Sequence, residues 1–279
     1  MSQSQYAYPE TLVDTKWLSE HLEDAKIQII EMDLNSESYD LGHIPGSIFW
    51  NAMTTFTPDL QFDFDPKAIA ELLGNSGISN DTTIVAVHQD YIATSGCLFW
   101  LLKVFGHENI KILNGGRKKW TLDGYPLTKD KSVVSPTQYY PQPVNENLRI
   151  TLSELQTSLA NQECTLLDVR TPQEYRGEIF MTNPPSENER GGHIPGATHL
   201  YYELAHNEDD TFKSFKELQD IFGQKNITSD KLIVPYCAVG GRSGHTWFIL
   251  KYLLGYPQVR NYDASWNQWS RIADLPVER

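Results

Sequence analysis

The sequence predicts an α/β protein made of two copies of one domain, each a parallel sheet flanked by helices on both faces. The pentapeptide GHIPG occurs twice, at residues 42–46 and 192–196. Similar blocks recur around it in one order, at an offset of about 150 residues, which indicates tandem domains rather than a solenoid of short repeats. Within each copy, short β-rich runs alternate with helical patterns, as in a parallel sheet.

The matching blocks are distributed along the whole of each copy, from its first predicted strands to its last predicted helix. In the second copy, TLLDV (165–169) and KLIVPYC (231–237) are predicted strands. The run HTWFILKYLL (245–254) has apolar residues recurring at three and four positions, which predicts a helix. The paired blocks are residues 29–33 with 166–170, 82–90 with 231–239, 99–106 with 248–255, and 110–120 with 259–269.

We assign residues 1–130 to an N-terminal domain and residues 145–279 to a C-terminal domain. The boundary falls in residues 126–147, a polar segment with four prolines, which predicts an extended and fairly stiff linker. The second copy also carries a polar insertion at residues 176–191, about 15 residues in length. We interpret it as a surface loop that could overhang a site at the sheet edge.

Composition limits the partners of the protein. The net charge of −13 argues against sequence-independent binding to nucleic acid or to an anionic membrane surface. No apolar run reaches the ~18–20 residues of a membrane helix, and the N-terminus does not resemble a secretory signal. The three cysteines form neither a disulfide framework nor a metal pair, so we expect free thiols, no metal and a cytoplasmic location.

The stretch VPYCAVGGRSGHTW, residues 234–247, carries the candidate active site. Cys237 ends a predicted strand, and a helix follows, so backbone N–H groups and the helix N-terminus would stabilise a thiolate there. A parallel sheet also places its working site at the carboxyl ends of its strands. The candidate catalytic residue is Cys237, and the candidate binding loop is Ala238, Val239, Gly240, Gly241, Arg242 and Ser243.

The first copy lacks this nucleophile. Its counterpart of Cys237 lies near His88, and no glycine follows until Gly96. We therefore predict that the N-terminal domain is catalytically inactive and shapes the cleft between the domains. Cys97 and Cys164 are interpreted as core residues, because each lies in or beside an apolar run.

Several histidines and tryptophans are further candidates for a role at the predicted site. The histidines of both GHIPG segments are assigned to turns, and His245 could either tune Cys237 or cap or lie exposed on its helix. The last loop of the second copy, with Trp266 and Trp269, could wall the cleft or pack in the core.

Two rival functions remain open from these residues. A phosphatase or arsenate reductase also uses a cysteine loop at a helix N-terminus, but with five residues between its Cys and Arg. Four lie between Cys237 and Arg242, and a smaller cradle favours a sulfur atom over a tetrahedral oxyanion. The second rival is a non-catalytic sensor or binding module, which the intact cysteine loop argues against.

The sequence resembles the rhodanese family, the thiosulfate sulfurtransferases, and in particular its two-domain bacterial members. The resemblance rests on both GHIPG segments, on Asp168-Val-Arg170 before Glu174-Tyr175, on the loop C-x-x-G-x-R-S and on NYDASWNQW (261–269). It implies two rhodanese-like domains and a ping-pong transfer of sulfur from thiosulfate to cyanide or a thiol. It further implies a Cys237 persulfide, no cofactor, and a supporting role for Asp168 and Arg170.

The sequence departs from this family at charged positions. Ala238 and Val239 stand where many thiosulfate-using members carry basic residues, and Glu174 stands where some carry Arg. These differences remove positive charge that would bind a dianionic donor. The loop also differs from that of the mercaptopyruvate-using branch.

Overall fold

Both halves of the chain form parallel sheets, which confirms the fold class predicted from the repeat. The computed structural model describes residues 6–187 and 189–279. Every strand pairing within the two sheets is parallel, and the helices lie between successive strands along the chain.

The first sheet has five strands in the order β1-β5-β4-β2-β3. Its strands are β1 (Leu12–Val13), β2 (Ile27–Asp33), β3 (Ile48–Asn51), β4 (Thr83–His88) and β5 (Ile110–Leu113). The helices of this domain are α1 (Thr15–Glu20), α2 (Glu37–Leu41), α3 (Pro66–Asn75), α4 (Ala93–Val104) and α5 (Gly116–Leu122).

The second sheet has three strands in the order β7-β6-β8. Single parallel bridges from Ile233 to Val259 and from Arg149 to Asn261 extend this sheet, so that its strand order matches that of the first sheet. Its strands are β6 (Cys164–Asp168), β7 (Thr198–His199) and β8 (Leu232–Tyr236). Its helices are α6 (Leu152–Ala160), α7 (Pro172–Tyr175), α8 (Phe215–Gly223), α9 (Gly241–Phe248) and α10 (Ser265–Trp269).

Short irregular helices complete the architecture. The last turns of α9 widen into a π-helix at Ile249–Leu253. One-turn 3₁₀ helices lie at Pro9–Thr11, Ala52–Thr55, Glu146–Leu148 and Tyr202–Ala205. Among the described residues, no helix is both long enough and apolar enough to cross a membrane.

The strand registers establish which residues correspond in the two domains. Glu31 of β2 pairs with Val87 of β4, and Asp168 of β6 pairs with Tyr236 of β8. The next residue along the second strand of each pair is His88 in one domain and Cys237 in the other. A histidine therefore occupies the place of the cysteine in the first domain.

Helices α4 and α9 join the two domains. Every residue of α4 is buried, which explains why its sequence is apolar on all sides. Glycines allow a close approach: a Cβ at Gly244 would lie 3.4 Å from the Trp100 ring, and a Cβ at Gly96 would clash with His245. This packing sets the N-terminus of α9, and hence the cysteine loop, against the first domain.

The segment at 126–147 is extended apart from the start of one 3₁₀ turn. It runs along the first domain, where Thr137 N donates to Gly74 O (2.9 Å) and Asn145 N donates to Val104 O (2.9 Å). The chain thus crosses to the second domain while bound to the first.

Candidate active site

Cys237 lies directly after β8, at the carboxyl edge of the second sheet, and is 1% exposed. Its Sγ accepts a hydrogen bond from Gly240 N at 3.1 Å, and the Ser243 hydroxyl lies 3.6 Å away. Ser243 Oγ also lies 3.1 Å from the Gly240 carbonyl, so its proton can serve either acceptor. The loop therefore curls around the sulfur. This geometry lets its donors form hydrogen bonds that would stabilise a negative charge on the sulfur.

Gly240 makes this curl possible. Its φ is +93°, in the left-handed region that favours glycine. A Cβ there would clash with the carbonyl of Asp263 and would lie 2.8 Å from the ring of Phe62. The loop is thus enclosed by the second domain on one side and by the first domain on the other.

Ser265 fixes the backbone at the cysteine. Its Oγ accepts from Cys237 N at 3.0 Å and donates to Tyr262 O at 2.8 Å. Two further bonds tie α10 to the loop, from Trp266 N to Cys237 O (3.0 Å) and from Asn267 N to Ala238 O (2.8 Å). These bonds hold the start of the loop in place, and the Gly240 N–H then points at the sulfur.

Arg242 is held by a carboxylate from another helix. Its two terminal nitrogens donate to the two oxygens of Glu174, each at 2.7 Å. Burial opposes the charge on Glu174, but the hydrogen bonds and charge of Arg242 outweigh it, so the pKa of Glu174 is lowered. The Glu174 carboxylate likewise raises the pKa of Arg242 against the effect of burial. Both groups are charged at neutral pH, and they neutralise each other.

Asp168 and Arg170 form a second buried ion pair. Arg170 Nη2 donates to Asp168 Oδ2 at 2.6 Å and to the Gly192 carbonyl at 2.8 Å. The guanidinium also stacks over Trp266, 4.7 Å from the ring centre. The pair thus links β6 to the GHIPG turn and to α10, whose backbone bonds the cysteine loop.

The cysteine loop faces a cavity of about 80 Å³ between the domains. The first domain contributes most of the wall, and Met181 of the predicted 176–191 insertion closes one side. Among the described lining residues Arg242 is the one cationic side chain. The wall consists of Leu34, Ala52, Met53, Phe56, Tyr91, Ala93, Thr94, Cys97, Met181, Cys237, Ala238, Val239, Gly241 and Arg242.

Two weak acids in this wall remain neutral at physiological pH. Burial raises the pKa of Tyr91 to about 12. Burial raises the pKa of the Cys97 thiol. Cys97 is a core residue, as predicted for a cysteine in an apolar helix, but its 4% exposure opens into the cavity.

The corresponding loop of the first domain is already filled. The Asp33 carboxylate accepts from Asp90 N at 2.7 Å and from Tyr91 N at 3.0 Å. The backbone donors that would face a ligand there are thus bound to the domain's own side chain.

Of the two interpretations of the last loop, packing in the core is the one that the structure shows. Trp266 and Trp269 are 1% and 2% exposed and belong to the core of the second domain. His245 is fully buried rather than exposed, and its Nε2 lies 2.8 Å from His206 Nε2. His43 and His193 stack on the tyrosine of the preceding helix, as turn residues would.

The sequence predicted that the first domain shapes the cleft, but it did not reveal which of its residues line the cavity or which residue pairs with Arg242. One local signal existed for Glu174: the segment T-P-Q-E is a capping box, in which the Thr171 hydroxyl and Glu174 bond reciprocally. This motif fixes the carboxylate at the start of α7, on the sheet edge where the cysteine loop also begins. Within residues 6–187 and 189–279, no group of three or more His, Cys, Asp or Glu side chains is placed to hold a metal ion.

Fold and site together define a class of proteins: tandem parallel α/β domains that share one cysteine loop at their interface. The family model described as "Rhodanese-like domain" matches residues 14–123 and again residues 151–272. The chain belongs to the rhodanese family.

Relatives match over nearly the whole chain. The sulfur carrier protein TtuD of Thermus thermophilus is 41% identical over 280 residues, which cover 98% of each chain. A protein of Saccharopolyspora erythraea named "Putative thiosulfate sulfurtransferase" is 36% identical over 272 residues, which cover 96% of each chain. The chain is therefore a rhodanese-fold protein of the sulfurtransferase kind.

A solved structure shares the fold. The anaerobic ergothioneine biosynthesis enzyme from Chlorobium limicola superposes with a TM-score of 0.88 over 98% of this chain and 71% of its own. At 24% identity, this likeness establishes the fold alone.

Proposed function

We propose that the protein transfers a sulfane sulfur from a donor to a thiophilic acceptor through a persulfide on Cys237. The observation that carries the proposal is the loop N–H of Gly240, 3.1 Å from a cysteine sulfur that faces the interdomain cavity. Thiosulfate is the sulfane donor that the family resemblance implies, and the name of the Saccharopolyspora relative supports activity with it. Cyanide or a thiol is the expected acceptor.

In the first half of the cycle, the Cys237 thiolate attacks the outer sulfur of the donor. A new S–S bond forms at Cys237 while the donor's own bond to that sulfur breaks. The leaving group departs with the electron pair, as sulfite if the donor is thiosulfate. The Gly240 N–H, which already points at Cys237 Sγ, and the other N–H groups of the loop would stabilise the negative charge on the outer sulfur of the persulfide.

In the second half, the acceptor attacks the outer sulfur and the cysteine leaves as a thiolate. The cycle needs no cofactor beyond Cys237 itself, and it needs that cysteine reduced, which fits a reducing compartment such as the cytoplasm. In this proposal the first domain supplies cavity walls and no nucleophile, because His88 occupies the equivalent position.

Steady-state kinetics test the proposal. With thiosulfate and cyanide varied together, we expect thiocyanate formation with the parallel double-reciprocal lines of a ping-pong reaction. C237S is expected to abolish turnover. C164S is the matched control, since Cys164 lies at the start of β6, outside the cavity, and this variant is expected to turn over normally. Absence of thiocyanate with every sulfane donor, or full activity in C237S, contradicts the proposal.

A further inference from the structure

We propose that this site, if it transfers sulfur as proposed above, prefers an organic sulfane donor with an apolar group and one negative charge over a dianion such as thiosulfate. The chemical class is R–S–S⁻ or R–SO₂–S⁻. Three features of the described residues support this preference: the neutralised arginine, the apolar loop, and the exposed apolar rim of the cavity.

The first feature is the charge balance. A dianion bound beside a thiolate needs compensating positive charge. Arg242 is the one cationic residue among the described cavity walls, and both of its terminal nitrogens are bound to Glu174. The remaining donors are uncharged, namely backbone N–H groups and the hydroxyl groups of Tyr91 and Thr94, and they suit one negative charge better than two. The net charge of −13 adds an unfavourable field for a dianion.

The second feature is the loop itself. The two residues after the cysteine, Ala238 and Val239, bring no donor or cation from their side chains, and both line the cavity. Contact with the methyl groups of Val239 favours a carbon-bearing group next to the transferred sulfur. It offers nothing to the oxygens of a sulfonate.

The third feature is the entrance. Leu34, Met53 and Met181 all line the cavity and are 47%, 42% and 41% exposed. Leu34 and Met53 come from the first domain and Met181 from the second, so apolar side chains from both domains meet at one opening. Large apolar side chains left in water at the mouth of an apolar cavity mark a place where an apolar group binds.

The transfer balances for this donor class. In Cys237–S⁻ + R–SO₂–S⁻ → Cys237–S–S⁻ + R–SO₂⁻, one S–S bond forms at the cysteine and one S–S bond breaks in the donor. The sulfinate leaves with the electron pair, and no external oxidant or reductant is required.

Three donors separate charge from apolar area: thiosulfate (dianion), methanethiosulfonate (monoanion, methyl) and benzenethiosulfonate (monoanion, ring). Each kcat/KM for sulfur loading is divided by the rate constant of that donor with a free thiol, which removes intrinsic reactivity. We expect the normalised value for benzenethiosulfonate to exceed that for thiosulfate at least about tenfold, with methanethiosulfonate between them. A smaller ratio overturns the inference and leaves sulfur transfer standing, whereas loading by none of the three overturns the proposed function.

Two variants, V239K and E174Q, test whether the missing positive charge causes the donor preference. V239K places a cation in the loop, and we expect it to raise the normalised value for thiosulfate at least about fivefold relative to V239M, which adds length without charge. E174Q frees the charge of Arg242 and should shift the donor ratio toward thiosulfate. E217Q is its matched control, because Glu217 occupies the same capping-box position in α8, away from the cavity. An unchanged thiosulfate value in folded V239K contradicts the charge argument even if E174Q does not fold.

Discussion

Glu174 and Arg242 join the first turn of α7 to the first turn of α9 through two parallel hydrogen bonds of 2.7 Å. Because the fork of a guanidinium matches a carboxylate, this pair fixes both distance and orientation between the helices. Glu174 also bonds the backbone of Thr171, so the cysteine loop is anchored to a rigid helix start.

Removal of the arginine alone should destabilise the protein more than removal of both charges. R242M leaves a buried carboxylate without its cation, and we expect the free energy of unfolding to fall by about 3–5 kcal/mol. The double variant R242M/E174Q should recover part of that loss, since the amide carries no charge. Urea unfolding of the wild type, both single variants and the double variant measures this. Additive losses would show that the pair is not coupled.

Replacement of Gly240 by alanine should distort the cysteine loop. The residue has φ +93°, and a Cβ would clash with the Asp263 carbonyl, so we expect G240A to lose more than about 2 kcal/mol and to load sulfur poorly. G223A is the control: nothing lies within 4 Å of its Cβ, and the helical site should gain or lose little. Thermal unfolding and sulfur loading are the two measurements, and a G240A protein that matches the wild type in both would contradict the loop geometry.

Two variants of Ser265 can distinguish the cost of its strained backbone from the effect of its hydrogen bond to Cys237. Ser265 has φ +52°, a region that costs a non-glycine residue about 1 kcal/mol, and its hydroxyl accepts from Cys237 N. S265A and S265G both lose the hydroxyl, so both should load sulfur more slowly. S265G should be more stable than S265A by about 1 kcal/mol, because it relieves the strain. Equal stability of the two variants, or wild-type loading rates, would show that Ser265 does not act in this way.

The buried histidine pair predicts a loss of stability in mild acid. Burial lowers the pKa of His206 from 6.5 to about 4, and burial also lowers that of His245, with His88 close by. The unfolded chain therefore binds more protons than the folded protein below pH 6.5. The stability that comes from keeping these two histidines neutral is fully present above pH 6.5 and is lost as the pH falls toward 4.

The measurement is the free energy of unfolding between pH 7 and pH 4.5 for the wild type and for H206Q/H245Q. We expect the wild type to lose at least about 2 kcal/mol more than the double variant over this range. H21Q, at the end of α1 and outside the interface, should follow the wild type. A double variant as acid-sensitive as the wild type would assign the loss to other groups.

The repeat made the fold predictable, since GHIPG and its neighbouring blocks mark the same strands and helices in each domain. The position of Cys237 followed from parallel-sheet logic, which places loops of this kind at the carboxyl edge. The cavity could not be predicted in the same way, because its walls depend on how α4 packs against α9. Glu174 lies 68 residues from Arg242, and residues so far apart meet only through tertiary structure. Trp266 was ambiguous because an aromatic residue near a site fits core and cleft equally well.

In the proposed cycle, the transferred sulfur resides on Cys237 during turnover. Mass spectrometry of the protein after incubation with a sulfane donor, followed by peptide mapping, tests it most directly, because the chain has three cysteines in distinct peptides. We predict a gain of one sulfur atom on the Cys237 peptide alone, and its loss on addition of cyanide. A sulfur found on Cys97 or Cys164, or no added sulfur with any donor, would contradict the account.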